Sequence, residues 1–183
     1  LEMGDHHGTW FRQRGFGEEY RVHQGDVVLV PGQEESRTEE LGHLLGLNIG
    51  SLSRDTDRYY LYDWVCDEIH RQGGLTGYAH VTVKLFQVHR GMSLDIPRDR
   101  IDFIEILQYR TLNTDLYYEF LNLGFKLTAA AGSDIPWGRT IGEVRTYAHV
   151  GDGAFSADAW FEGLRQGHTF VTNGPMIEFR VED

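Results

Sequence analysis

The chain has 183 residues, with 17 Lys and Arg against 28 Asp and Glu and a net charge of −11. That length fits one domain or slightly more with a real core, and so acidic a chain argues against nucleic acid or an anionic membrane surface as partner. The single cysteine, Cys66, rules out an internal disulfide, and no apolar stretch approaches the roughly 20 residues of a membrane span, so the chain reads as soluble.

The N-terminus opens on an apolar run that leads into Asp5, His6 and His7. Because Leu1 begins inside that run, it reads as a cut end; a leader would lie upstream, and the compartment, cytoplasmic or exported, stays open. Asp26 to Val30 is short, β-branched and continuously apolar, as a strand covered on both faces should be; Pro31-Gly32 is expected to stop it and leave Glu34 in the loop beyond, with Glu35 as a surface neighbour. From Arg58 to Gln72 the residues Leu61, Trp64, Val65 and Ile69 follow helical spacing, with Asp57 as N-cap and Gly73-Gly74 as terminator, and Cys66 falls on the packed side. A strand over Leu75 to Ala79 then delivers His80. Ile101 to Leu107 reads as another strand, Leu116 to Leu123 as a helix closed by Gly124, and Lys126 to Ala131 as the strand that delivers Asp134. Val144 to Ala148 alternates like a strand, and Ser156 caps a helix carrying Trp160, Phe161 and Leu164 up to Gly167. Thr172-Asn173-Gly174-Pro175 reads as a tight turn, and Ile177 to Val181 as a half-exposed strand still running where the chain stops. The alternation of strands and helices predicts an α/β architecture.

Four of these runs end on an acid or a histidine: Asp5 with His6 or His7, Glu34, His80 and Asp134. Strands of a parallel sheet would bring them all to one carboxyl-end face, where α/β folds build their sites. Two carboxylates ~4 Å apart repel by about 4 kcal/mol at an effective dielectric near 20, and a divalent cation relieves that repulsion. Carboxylates mixed with imidazoles suit zinc, manganese or iron better than calcium or magnesium. Each residue has a plainer reading as well: Asp5 in a solvated turn, or His43 as a satisfied core or loop histidine beside Leu44 and Leu45. Glu105, inside an apolar strand, either enters the same mouth or forms an interior ion pair. His23, His70 and His89 read as surface residues, and Arg145 and His149 bracket a strand that could reach the mouth. There is no Gly-x-Ser-x-Gly elbow, Walker loop or Gly-x-Gly-x-x-Gly turn, which removes support for serine hydrolases, nucleoside triphosphatases and dinucleotide enzymes.

Pro31-Gly32-Gln33-Glu34-Glu35, Gly42-His43, Gly73 to His80, Ala131-Gly132-Ser133-Asp134 and Gly167 to Pro175, in that order, resemble the PHP superfamily, in particular its branch related to the carbaryl hydrolases CehA and McbA. The resemblance spans nearly the whole chain. It implies a distorted β/α barrel with two or three divalent metals that activate water for hydrolysis, so Asp5, His6, Glu34, His43, His80 and Asp134 are the implied metal ligands. The family's opening His-x-His would precede Leu1, Ile135-Pro136 stands where many members place a histidine after the late aspartate, and Val81 replaces a common proline.

These readings yield a PHP-like hydrolase core over residues 1–175, lacking its first strand, and the start of a following strand or β region over 176–183. The expected function is metal-dependent hydrolysis of an ester, phosphoester or carbamate of a small molecule; the alternative is a non-catalytic metal- or ligand-binding module that keeps the barrel. His43 is expected to complete the metal shell or hold the leaving group, and Arg145 to stabilise developing negative charge. A complete barrel of this kind takes ~250 residues, so a partial one exposes a strand edge. Self-association of the chain is the expected consequence, and a clean monomer by light scattering would refute it.

Overall fold

A computed structural model describes residues 2–6, 15–35, 41–54, 61–81, 90–175 and 180, with 2–6 and 90 described by backbone alone. The strands are β1 (Glu2–His6), β2 (Val22–Gln24), β3 (Val27–Glu35), β4 (Leu44–Leu47), β5 (Leu75–Tyr78), β6 (Phe103–Gln108), β7 (Thr111–Leu112), β8 (Thr128–Ala131), β9 (Arg145–Ala148) and β10 (Thr169–Thr172). The helices are α1 (Asp63–Arg71), α2 (Arg90–Asp95), α3 (Asp115–Asn122) and α4 (Ala157–Gln166). An eight-stranded sheet runs β1-β3-β4-β5-β6-β7, with β2 beside β3 and β8 beside β6, while β9 and β10 form a separate antiparallel pair. Among the described residues no pairing closes this sheet into a barrel. The architecture is α/β, as the alternating pattern predicts.

The sheet is mixed, where the sequence pattern predicts a parallel one. β1, β3, β5, β6 and β8 all run in one direction, but β4 lies antiparallel between β3 and β5. β3 also continues through Pro31-Gly32 instead of stopping there. Proline lacks a donor for the ladder. Pro31 lies opposite Met3 of the parallel β1, whereas β2 pairs with β3 only at Val27 to Leu29 and β4 only from Gln33 onward, so a single strand flanks it. Glu34 therefore lies in the strand itself.

Alternation then sends neighbouring residues to opposite faces. On one face α1 packs Val65, Cys66 and Ile69 against Leu44, Tyr78 and Ile104. On the other, Phe161 and Leu164 of α4 cover Val30, Leu47, Leu75 and Phe103. Glu35 falls on the α1 side and is not a surface residue. It is 3 % exposed and accepts a hydrogen bond from Arg54 Nε at 2.8 Å. Beside it Gln33 clamps the Ser53 backbone, donating to its carbonyl and accepting from its N–H. Cys66 is buried as expected, and that burial pushes its thiol up, away from the reactive thiolate.

The helix ends obey their sequence signals where these are described. Ser156 Oγ accepts from Ala159 N at 3.1 Å to open α4, and Gly167 closes it at φ 78°. α3 ends before Gly124 at φ 90°. α1 starts at Asp63; the proposed cap Asp57, together with His7, His89 and the strand expected over Ile177 to Val181, lies outside the described residues or almost wholly so. No helix among the described residues is long and apolar enough to cross a membrane.

His70 corrects another sequence expectation. Instead of lying free on the surface, its Nε2 pairs with Asp102 Oδ2 at 2.9 Å, and the same carboxylate oxygen accepts from Thr76 N at 2.8 Å. One side chain thus ties the end of α1 to the starts of β5 and β6. The Asp102 bond holds His70 above its ordinary value against partial burial and the Arg165 charge, with Asp67 assisting. A histidine raised in this way stabilises the fold fully below its unfolded value near 6.5, and the benefit is lost as pH rises through the folded value. His70→Gln is expected to cost about 1 kcal/mol at pH 5.5, allowing for solvent screening of a half-exposed pair, and markedly less at pH 9. Urea unfolding of both proteins at the two pH values measures this; a pH-independent difference would contradict it.

Candidate metal centre

The shared direction of β1, β3, β5, β6 and β8 brings their carboxyl ends to one edge of the sheet, and β4, running backwards, begins at that same edge. Glu34 is the penultimate residue of β3, His43 immediately precedes β4, and His80 follows β5 by two residues. The reversed strand is what joins His43 to the others. The backbone N–H of Ala79 donates to the carbonyl of His43 at 2.9 Å, so the chain leaving β5 is stitched to the chain entering β4. His80 then turns at φ 38° and Asp134, beyond β8, at φ 47°, both in the left-handed region. Histidine and aspartate are among the few non-glycine types that adopt it with any frequency.

Three donor atoms converge. His43 Nδ1 lies 2.8 Å from Glu34 Oε1 and 2.9 Å from His80 Nε2, and His80 Nε2 lies 3.5 Å from Glu34 Oε1. The rings meet edge to face with centroids 4.5 Å apart, and His80 is 2 % exposed. Two imidazole nitrogens facing each other at this range can form a bond only if one carries a proton and the other does not, and the carboxylate competes for the same proton. A cation satisfies all three lone pairs at once. Donors held tetrahedrally at ~2.0–2.1 Å from zinc lie about 3.4 Å apart. The 3.5 Å spacing matches that value and the 2.8 and 2.9 Å spacings fall about half an ångström short of it, so the residues fit a divalent ion with one oxygen and two nitrogen ligands after a small widening about His43.

The electrostatics agree with this geometry. Burial alone would raise Glu34, but the hydrogen bonds and charges of His43 and His80 outweigh it and bring Glu34 down to about 2. Two further carboxylates stand close enough to feel that charge. Glu105 Oε2 accepts from His80 N at 2.9 Å; burial, opposed by this bond and reinforced by the charges of Glu34 and Asp134, pushes Glu105 up to about 8. Asp134 accepts a hydrogen bond from Tyr109 Oη, yet burial and the Glu34 charge keep it above the usual range. A site with three carboxylates, two of them driven toward the neutral form, is one that cationic charge would stabilise.

Of the residues expected from sequence, Glu34, His43 and His80 are brought into contact, and Asp134 shares their electrostatic environment. The register sets His6 beside Glu34 and Asp5 beside Gln33 on the neighbouring strand. Because Gln33 and Glu34 belong to opposite faces, the position next to the cluster is that of His6. Arg145 is turned elsewhere: its Nη1 donates to Gly142 O at 3.0 Å and its Nη2 to Gly174 O at 2.6 Å. His149 is exposed.

Two site residues exceed the sequence reading. Glu105, left between two roles, is a buried acceptor that holds the His80 backbone, and its only early sign is a charge inside an apolar strand. Tyr109 gave no sign. The small residues before Asp134 do leave room, but what fills it is protein: a Cβ on Gly132 would lie 2.0 Å from Glu105 Oε1.

No family model matches the chain, and no curated protein matches it. Among solved structures its fold is similar to that of a two-domain protein containing a predicted PHP-like metal-dependent phosphoesterase from Bacteroides vulgatus ATCC 8482, with a TM-score of 0.60 and 18 % identity. The match covers 79 % of this chain and 44 % of that one, so the chain spans less than half the length of that protein. At this identity the likeness is one of fold.

Two substitutions separate direct from indirect contributions to metal binding. Glu34→Gln is expected to weaken zinc or manganese binding by more than about 100-fold, and Gly132→Ala, acting through displaced Glu105, by about tenfold. Competition titration with a chromogenic chelator measures both; wild-type affinity in Glu34→Gln would remove the centre.

Proposed function

We propose that the chain carries the metal centre of a PHP-type hydrolase that cleaves an ester, phosphoester or carbamate of a small molecule. The observation that supports this reading is the convergence of Glu34, His43 and His80, with Glu105 and Asp134 behind them, on one edge of a fold shared with a PHP-like phosphoesterase. In this reading His6 and Asp134 join the three as ligands, Asp5 being in register with Gln33 and not with Glu34, and zinc, manganese or iron is the ion.

A divalent ion bound there would polarise the scissile group and lower the pKa of water toward ~7. The chain's own residues do the rest. Glu34, ionised and pinned between two imidazoles, supplies fixed negative charge without having to reorganise. Glu105 accepts from the His80 backbone N–H and so helps to fix the position of that residue. Tyr109 orients the Asp134 carboxylate by hydrogen bonding to it. Arg145 braces two loops through their carbonyls, so charge stabilisation by this residue would require those bonds to be exchanged.

The carbaryl-hydrolase branch, and with it the carbamate option, rests on the sequence motifs alone. A second reading, a binding module without turnover, draws on Pro136 standing two residues after Asp134, where many family members place a histidine. A panel of phosphoester, ester and carbamate substrates, assayed before and after chelation and metal return, distinguishes the two. Hydrolysis lost on chelation and restored by metal is expected; full activity after stripping would overturn the hydrolase, and tight metal binding with no turnover would favour the module.

A further inference from the structure

Beside the metal centre, on the Asp134 side, lies an open groove of about 520 Å³ lined in part by Arg110, Thr140, Ile141, Glu143, Arg145 and Asn173. Its floor is tied to the centre twice. Gly142 N donates to Ser133 Oγ at 2.9 Å, next to Asp134, and Tyr109, which bonds Asp134, is the chain neighbour of Arg110. The lining is rich in donors: two guanidiniums, a hydroxyl and an amide face one carboxylate, so the groove is net positive in a chain of net charge −11.

The two arginines are held differently. Arg145 spends both terminal nitrogens on backbone carbonyls and sets the walls. Arg110 approaches Glu143 Oε2 most closely through Nε, at 3.4 Å, and among the described residues its terminal nitrogens make no hydrogen bond. Glu143 is a firm anchor because its side chain is 6 % exposed, whereas that of Arg110 is 58 % exposed. A guanidinium that is more than half exposed and makes no hydrogen bond through its terminal nitrogens keeps its Nη1–Nη2 fork available, the geometry that grips a carboxylate or phosphate through two parallel bonds.

The backbone adds a second reason. Gln108 pairs with Thr111, leaving Tyr109 and Arg110 as a two-residue hairpin turn with φ of 48° and 65°. Such turns favour Asn-Gly, and bulky residues at positive φ cost about 1–3 kcal/mol each. Here the strained pair points one side chain at the metal centre and the other at the groove wall.

We propose that Arg110 forms an anion subsite, so that the substrate is an organic anion whose phosphate or carboxylate sits in the groove while its scissile bond lies at the metal centre. Ile141 offers an apolar wall for the carbon skeleton between them. The substrate class rests on the hydrolase reading, whereas the subsite itself is testable without metal.

Inorganic phosphate and acetate are titrated into the chelator-treated full chain by calorimetry, for the wild type, Arg110→Gln and Arg110→Lys. Saturable binding is expected for the wild type, weakened about tenfold or more by Arg110→Gln and by a smaller factor by Arg110→Lys, which keeps the charge, loses the fork and controls for folding. A wild type that binds neither anion, or an Arg110→Gln as tight as wild type, overturns the subsite. Zinc titration of the same proteins keeps the two claims apart. Equal metal binding by wild type and Arg110→Gln supports a separate subsite, weaker metal binding in the variant counts against one, and phosphate binding by a wild type that binds no metal leaves the subsite standing while the hydrolase falls.

Discussion

A buried carboxylate clasped by two imidazoles is the interaction around which this structure is arranged. Desolvating Glu34 costs several kcal/mol, and without neighbouring positive charge it would protonate. His43 and His80 prevent that, but only because β4 runs against its neighbours and starts where β3 and β5 end. Were β4 parallel, His43 would enter the sheet at the opposite edge, and the carboxylate would face a single ring.

The remaining acids are graded around that centre. Glu34 is held well below the usual carboxylate range, Glu105 is pushed toward its neutral form, and Asp134 is raised by burial and the Glu34 charge against the pull of the Tyr109 hydroxyl. The grading follows from burial, which disfavours each charged form, and from mutual repulsion among the three carboxylates. Packing reinforces the electrostatics. The absence of a side chain at Gly132 admits the Glu105 carboxylate, and the Phe103 ring, on the same face, closes the core beneath it.

The strands and helices with continuous apolar or helical patterns were legible in the sequence, and so were Glu34, His80 and Asp134, because each ends a run whose direction the fold preserves. His43 was legible only as a residue type in a glycine-flanked segment, since a four-residue strand with a glycine inside it carries little periodicity. Pro31-Gly32 does not stop β3 for a physical reason: a proline ends a strand where ladders on both sides require its N–H, and here only β1 runs beside it. Glu35 and His70 misled because charge was equated with exposure, whereas each has a buried or half-buried partner distant in sequence, Arg54 and Asp102. Tyr109 was invisible because its role depends on a hairpin tip meeting a loop that follows another strand.

The Tyr109-Arg110 tip also bears on how the chain divides stability from usefulness. An Asn-Gly pair would relax this turn and strengthen the hairpin, and by the criterion of folding alone it is the better sequence. It would also delete the hydroxyl on Asp134 and the guanidinium beside Glu143. Mutagenesis selected for thermal tolerance alone would favour relaxing this turn, and the gain in robustness would be taken from the residues that carry the proposed anion subsite.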